Sequence, residues 1–204
     1  MIEARLLQLR AGPVRQLDGW RSAIHKEAIY HPLWLSATGL AGDAVGDTRH
    51  HGGTEQAVLA YADSHYEDWK IEGFTDERGA FGENLLVTGL LDQTACIGDI
   101  FELGDATIQV SCPRVPCNTL VRRHGRPDIL TRVFETARGG WYFRVLREGF
   151  VAPGQELRLL ERPHPDWTVA RALHARWRVA SDKAEARALS EVAALNPRWR
   201  TLGS

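Results

Sequence analysis

The chain has 204 residues, 44% apolar and 25% charged, enough for one main domain with a full core and a small appendage, in the composition of a soluble globular protein. A formal net charge of -1 gives no general reason to expect nucleic acid or a membrane surface as a partner. No apolar run approaches the ~20 residues of a membrane span, and the mixed charges of MIEARLLQLR differ from a signal peptide, which points to the cytoplasm.

In chain order, IEARLLQL and the partly alternating LDGWRSAIHKEAI predict two short strands joined by a turn at GP. TGLAGDAVGDTRHHGGTEQAVLAY is dense in glycine and aspartate until its apolar end, the pattern of a ligand-facing loop feeding a strand. DSHYEDWKIEG predicts a helix capped by Asp63 or Ser64. AFGENLLVTGL and CIGDIFELGDATIQVS predict short strands, with turns at Gly89, Gly98 and Gly104 to Asp105. The next stretch, SCPRVPCNTL, holds two of the three cysteines around an arginine flanked by prolines. Pro113 and Pro116 remove backbone donors and fix φ, so they argue for a stiff, extended or turning segment and against helix. HGRPDILTRVFETAR reads as a helix, while GGWYFRVLREG and GQELRLLER read as strands. After ERPHPDW, TVARALHARW, SDKAEARALSEVAAL and NPRWRTLGS carry helical spacing. The expected fold is α+β, mostly β and barrel-like, with a small helical appendage.

Three cysteines do not make a disulfide framework, and in a reducing compartment they are free thiols. Cys112, Cys117, His50 and His51 do not have the spacing of a structural zinc site, and adjacent histidines on extended chain face opposite ways. A hydrolytic role for Cys117 would need His51 beside it in space, which a single sequence leaves open. Cys117 could also be a small buried hydrophobe. Against that stand Arg114 three residues earlier, whose charge favours a thiolate, and the rigidity of the two prolines. Cys96 and Cys112 lack this framing and read as packing residues. HHGG is a turn or an anion-binding loop built on Gly52 and Gly53. Asn84 in FGENL offers both donor and acceptor, as a pterin or purine edge requires. Lys26 is a solvated charge or a phosphate contact.

Taken together, SAIHK, LAGDAVGDTRHHGGTEQAVLAY, AFGENL, IGDIF, VSCPRVPC and GGW occur in an order that resembles the MOSC family, more closely its YiiM-like branch. The resemblance spans nearly the whole chain. It implies a β-barrel-like domain over residues 1–162 that binds the molybdenum cofactor, molybdopterin with Mo, and a small three-helix domain over residues 163–204. It implies Cys117 of PRxPC as catalytic residue and molybdenum ligand, and His51, Gly52 and Gly53 as the HGG motif. Asn84 is expected near the pterin, with Lys26 and Arg114 facing the anionic cofactor. Arg144 lies in a more variable stretch, His50 matches no role, and Cys112 is not required by the family pattern.

The activity implied is a two-electron reduction of N-hydroxylated compounds such as hydroxylaminopurines, amidoximes and hydroxylamines, with oxygen leaving as water. No flavin, haem or iron–sulfur motif is visible, so a separate reductase is the expected electron donor. The alternative is a sulfur carrier or cofactor-delivery module that uses a Cys117 persulfide without redox turnover. The tail carries Arg171, Arg176, Arg178, Arg187, Arg198 and Arg200, and Trp177 and Trp199 read as exposed. That combination suggests docking of the reductase or of a second copy in a homodimer.

Overall fold

A computed structural model describes residues 3–17, 19–49, 51–178 and 181–201. β1 (Ala4–Ala11) turns Ala4 and Leu6 inward and Arg5 and Leu7 outward. A bulge between Leu6 and Gln8 then resets the phase so that Leu9 also reaches the core. The short strands β2 (Arg15–Leu17), β3 (Trp20–Ser22), β4 (Glu27–Ile29), β5 (Leu33–Ser36) and β6 (Gly39–Leu40) follow. The glycine- and aspartate-rich loop leads, as expected, through a 3₁₀ turn at Thr54–Gln56 into β7 (Val58–Ala62). All five residues of β7 are buried, because α1 (His65–Ile71) lays Tyr66 and Trp69 over the outer side of the sheet, against Tyr61.

β8 (Leu85–Thr88), β9 (Ile100–Leu103), β10 (Ala106–Pro113), α2 (Asn118–His124), α3 (Ile129–Thr136), β11 (Trp141–Arg147), β12 (Gly149–Val151) and β13 (Glu156–Glu161) complete the sheet region. Hydrogen-bonded neighbours run β1, β13, β9, β10, β11, β7, β8 and back to β1, a closed barrel of seven strands with β4 added at β1. Every pair in the ring is antiparallel except β7 with β8. Closure leaves no sheet edge within the ring and fixes which ends of β7, β8 and β10 lie together. The fold is therefore α+β and mostly β, a barrel carrying C-terminal helices α4 (Val169–Trp177), α5 (Lys183–Ser190) and α6 (Pro197–Arg200).

Several local expectations are corrected. The second N-terminal strand is divided among β2, β3 and β4, and β5, β6 and β12 were not anticipated. Strands of two to four residues carry too few alternations to stand out. The argument against helix in SCPRVPCNTL holds only through Pro116, since α2 begins at Asn118 with Cys117 as its extended N-cap. A proline just before a helix is compatible with starting one.

The tail shares its core with the barrel. Val169, Leu173, Leu189, Leu195 and Trp199 belong to the same buried cluster as Leu6, Phe101 and Trp141. His174 Nε2 lies 2.8 Å from the Phe134 carbonyl oxygen of α3, and Trp177 stacks on Phe134 at 5.2 Å. Trp199, expected to be exposed, is only 5% exposed. Leu173, 1% exposed, tests this continuity: Leu173→Ala should cost about 2–5 kcal/mol and lower a single calorimetric transition of the full chain. A separate, lower-temperature transition for the tail would contradict a shared core.

Candidate active site

The segment from Pro113 to Cys117 leaves β10 at one rim of the barrel, and a chain of buried hydrogen bonds fixes its start. The Arg114 N–H donates to the Gly140 carbonyl at 2.9 Å. Gly140 N–H in turn donates to Asp92 Oδ1 at 2.8 Å, and Asp92 Oδ2 lies 2.7 Å from His65 Nε2. Gly140 has φ +78°, and a β-carbon there would come within 2.3 Å of the Ala60 carbonyl oxygen. Only glycine allows the turn that receives Arg114.

The Arg114 side chain is 5% exposed, and its Nη1 is buried without a hydrogen-bond partner. No carboxylate among the described residues pairs with it. An unanswered buried guanidinium is costly, and it is the kind of group an anionic ligand would satisfy.

Cys117 is half-buried beside this charge. Burial pushes its thiol up, but hydrogen bonding from His51, the charge of Arg114, and the hydroxyl and backbone N–H of Thr119 together outweigh burial and bring it down to about 6. The structure thus places His51 beside Cys117, which the sequence could not show. Cys96 and Cys112 differ: burial raises both to about 11. Cys112 is a weak acceptor for Asn196 Nδ2 at 3.6 Å and Gln56 Nε2 at 3.9 Å.

These groups line a cleft of ≈ 870 Å³ whose walls include Lys26, His51, Gly52, Asn84, Arg114 and Cys117. Of the expected site residues, Gly53 does not line it; it caps the 3₁₀ turn instead. His50 lies outside the described residues. Gly52, at φ +75°, is packed so that a β-carbon would meet the Val45 side chain at 2.9 Å.

Lys26 and Asn84 reach the cleft with their polar groups already engaged. Lys26 Nζ pairs with Asp43 Oδ1; burial lowers the lysine pKa and the Asp43 charge opposes that effect. Both Asn84 donors are used, to the Arg10 carbonyl at 3.1 Å and Asp43 Oδ2 at 2.8 Å, and its Oδ1 accepts from Leu59 N–H at 3.1 Å. One acceptor lone pair remains, so Asn84 acts first as a clamp between β1, β7 and the Asp43 loop. Arg144 is outside the lining and is bound to Glu55 and Gln109.

Sequence reasoning missed Thr119, Tyr142 and the tail residues Arg176, Arg198 and Trp199, all of which line the cleft. Asn196 brings the tail there: its N–H donates to the Ser111 carbonyl at 2.9 Å, its side chain reaches Cys112, and its Oδ1 caps α6 by accepting from Arg198 N–H. Six arginine or lysine side chains and two carboxylates line the cleft, so a chain of near-zero net charge focuses positive potential at one place.

The sequence model of the MOSC domain matches residues 47–158, which hold His51, Asn84, Arg114 and Cys117. A Gibberella moniliformis protein named Reductase is 44% identical over 172 residues, covering 80% of this chain; the chain spans 30% of that protein's length. Escherichia coli Protein YiiM is 35% identical over 187 residues, 89% of this chain and 83% of its own. The crystal structure of YiiM from Geobacillus stearothermophilus superposes with a TM-score of 0.84 at 30% identity, over 98% of this chain and 97% of that one.

The depressed thiol predicts that alkylation by iodoacetamide in cofactor-free protein is selective for Cys117. A thiol lowered to about 6 is already thiolate at neutral pH, so the rate should be half-maximal near there and flat above it. His51→Ala should move that midpoint upward. A wild-type midpoint at the ordinary thiol value of about 8.5 would refute the arrangement.

Proposed function

The chain belongs to the MOSC-domain family, and on that premise we propose that it is a molybdenum cofactor-dependent reductase of N-hydroxylated compounds, among them hydroxylaminopurines, amidoximes and hydroxylamines. The observation that carries the reading is the pairing of a low-pKa Cys117 with the unanswered, buried guanidinium of Arg114 in one cleft. Among the described residues no group of three or more His, Cys, Asp or Glu side chains could cage a metal. A metal here would take one thiolate from the protein and its remaining ligands from a cofactor, which is what a dithiolene provides.

The residues fit such a group. Cys117 offers a soft thiolate without first losing a proton at neutral pH. Arg114 would hold the cofactor's phosphate through a charge-assisted contact that also answers its own buried charge. The Lys26–Asp43–Asn84 cluster keeps the opposite wall in place, as a preorganised site requires. When bound, the molybdenum cofactor would supply two electrons and the centre that draws oxygen from an N–OH group. His51, beside Cys117, would be the group to pass a proton to the oxygen removed from the substrate. The electrons would come from a separate reductase. The Reductase name of the fungal relative supports redox turnover; a persulfide carrier would use the same thiolate but carry no molybdenum.

Cys117→Ala should abolish both molybdenum retention and reduction of an N-hydroxylated purine, whereas Cys112→Ser and Cys96→Ser should keep both. Equal loss in the Cys112 variant would favour a two-thiol site instead. Arg114→Ala should cost about 1.5–3 kcal/mol of cofactor binding, or roughly one to two decades of occupancy when cofactor is limiting. Pterin content at the wild-type level in that variant would count against the phosphate assignment.

A further inference from the structure

Arg176, in the last turn of α4, lines the same cleft. Its guanidinium has no hydrogen bond and no carboxylate partner among the described residues, and its Nη1 is shielded from solvent. Three other tail arginines are answered: Arg171 pairs with Glu185, Arg187 with Glu191, and Arg200 donates to the Leu195 carbonyl. The Arg176 group lies 4.5 Å from the centre of the Trp199 ring.

Cation–π packing explains why the stem covers Trp199. It does not explain a guanidinium nitrogen withdrawn from water without a hydrogen-bond partner. A packing arginine would keep its charged head solvated. Arg198, next to Trp199, also lines the cleft, and among the described residues its guanidinium donates to the Arg49 carbonyl at 3.2 Å.

We propose that Arg176 is a second anion-recognising residue of the cleft, supplied by the C-terminal helices, and that its ligand is a phosphate monoester. Guanidinium groups from separate elements, Arg114 after β10 and Arg176 on α4, suit an anion carrying more than one charge, since each fork offers paired N–H donors to phosphate oxygens. A cleft of ≈ 870 Å³ is at the large end for a small-molecule site and has room for a phosphorylated ligand. Two sources share this chemistry: the phosphate of the bound cofactor, and that of a substrate in nucleotide form. The choice between them rests on the function proposed above; the anion site does not.

The test uses the full chain purified without cofactor and titrated calorimetrically with inorganic phosphate, adenosine monophosphate and adenosine. Arg176→Met keeps the stem over Trp199 and removes the charge, and Arg176→Lys keeps the charge without the fork. Adenosine monophosphate should bind wild type more tightly than adenosine does. Arg176→Met should weaken phosphate and nucleotide binding roughly tenfold to a hundredfold, with Arg176→Lys partly restoring it. Pterin content of the same variants, made in cells that synthesise molybdopterin, separates the sources: a fall in Arg176→Met assigns the cofactor's phosphate, and unchanged pterin with weakened nucleotide binding assigns the substrate's. Wild type that binds phosphate but never carries pterin would remove the cofactor reading and leave this site standing. Folded Arg176→Met with unchanged phosphate binding, nucleotide binding and pterin content would overturn the proposal.

Discussion

A guanidinium held inside the cleft wall without a counter-ion, that of Arg114, governs the chemistry around it. The buried run from His65 through Asp92 and Gly140 fixes the backbone that carries it. A charge so placed costs free energy unless something answers it, and the protein supplies only a partial answer in the thiolate of Cys117. The guanidinium favours the charged form of the thiol. What remains is a buried Nη1 without a partner, on a side chain that lines the cleft, and an anionic ligand would complete it.

Barrel closure and the tail make this arrangement possible together. Pairing of β10 with β11 and of β11 with β7 sets Pro113 opposite Trp141, and Tyr142 and Phe143 opposite Leu59 and Val58, so the cysteine segment and the Gly140 turn lie one strand away from β7, into which the HGG loop leads. The tail then packs into the same core and, through Asn196, fastens α6 to β10 at Ser111 and Cys112. Cys112, which sequence alone gave no role beyond packing, is thus an anchor for the element that carries Arg198 and Trp199 into the cleft.

Much of this was legible locally. Two prolines around Arg114 announced a rigid segment, and the glycines at 52 and 53 announced a loop with positive φ, which the structure has at both. The strands β7, β10, β11 and β13 and the tail helices followed from periodicity. What was not legible depends on distant partners. Lys26 and Asn84 were chosen for their chemistry, but Asp43, from a loop between them, engages both. Trp199 looked exposed because α6, at four residues, is too short to show which face it buries. Net charge hid the cationic cleft, because folding gathers six basic side chains there while carboxylates pair with arginines elsewhere. Sequence composition sums charges without placing them.

The measurement that bears most directly on a single thiolate and an unanswered arginine preparing a cofactor site is elemental analysis of wild-type protein made in cells that synthesise molybdopterin. Stoichiometric molybdenum, released with a pterin on denaturation, is the predicted result. Protein that emerges free of molybdenum, with a persulfide on Cys117, would contradict it.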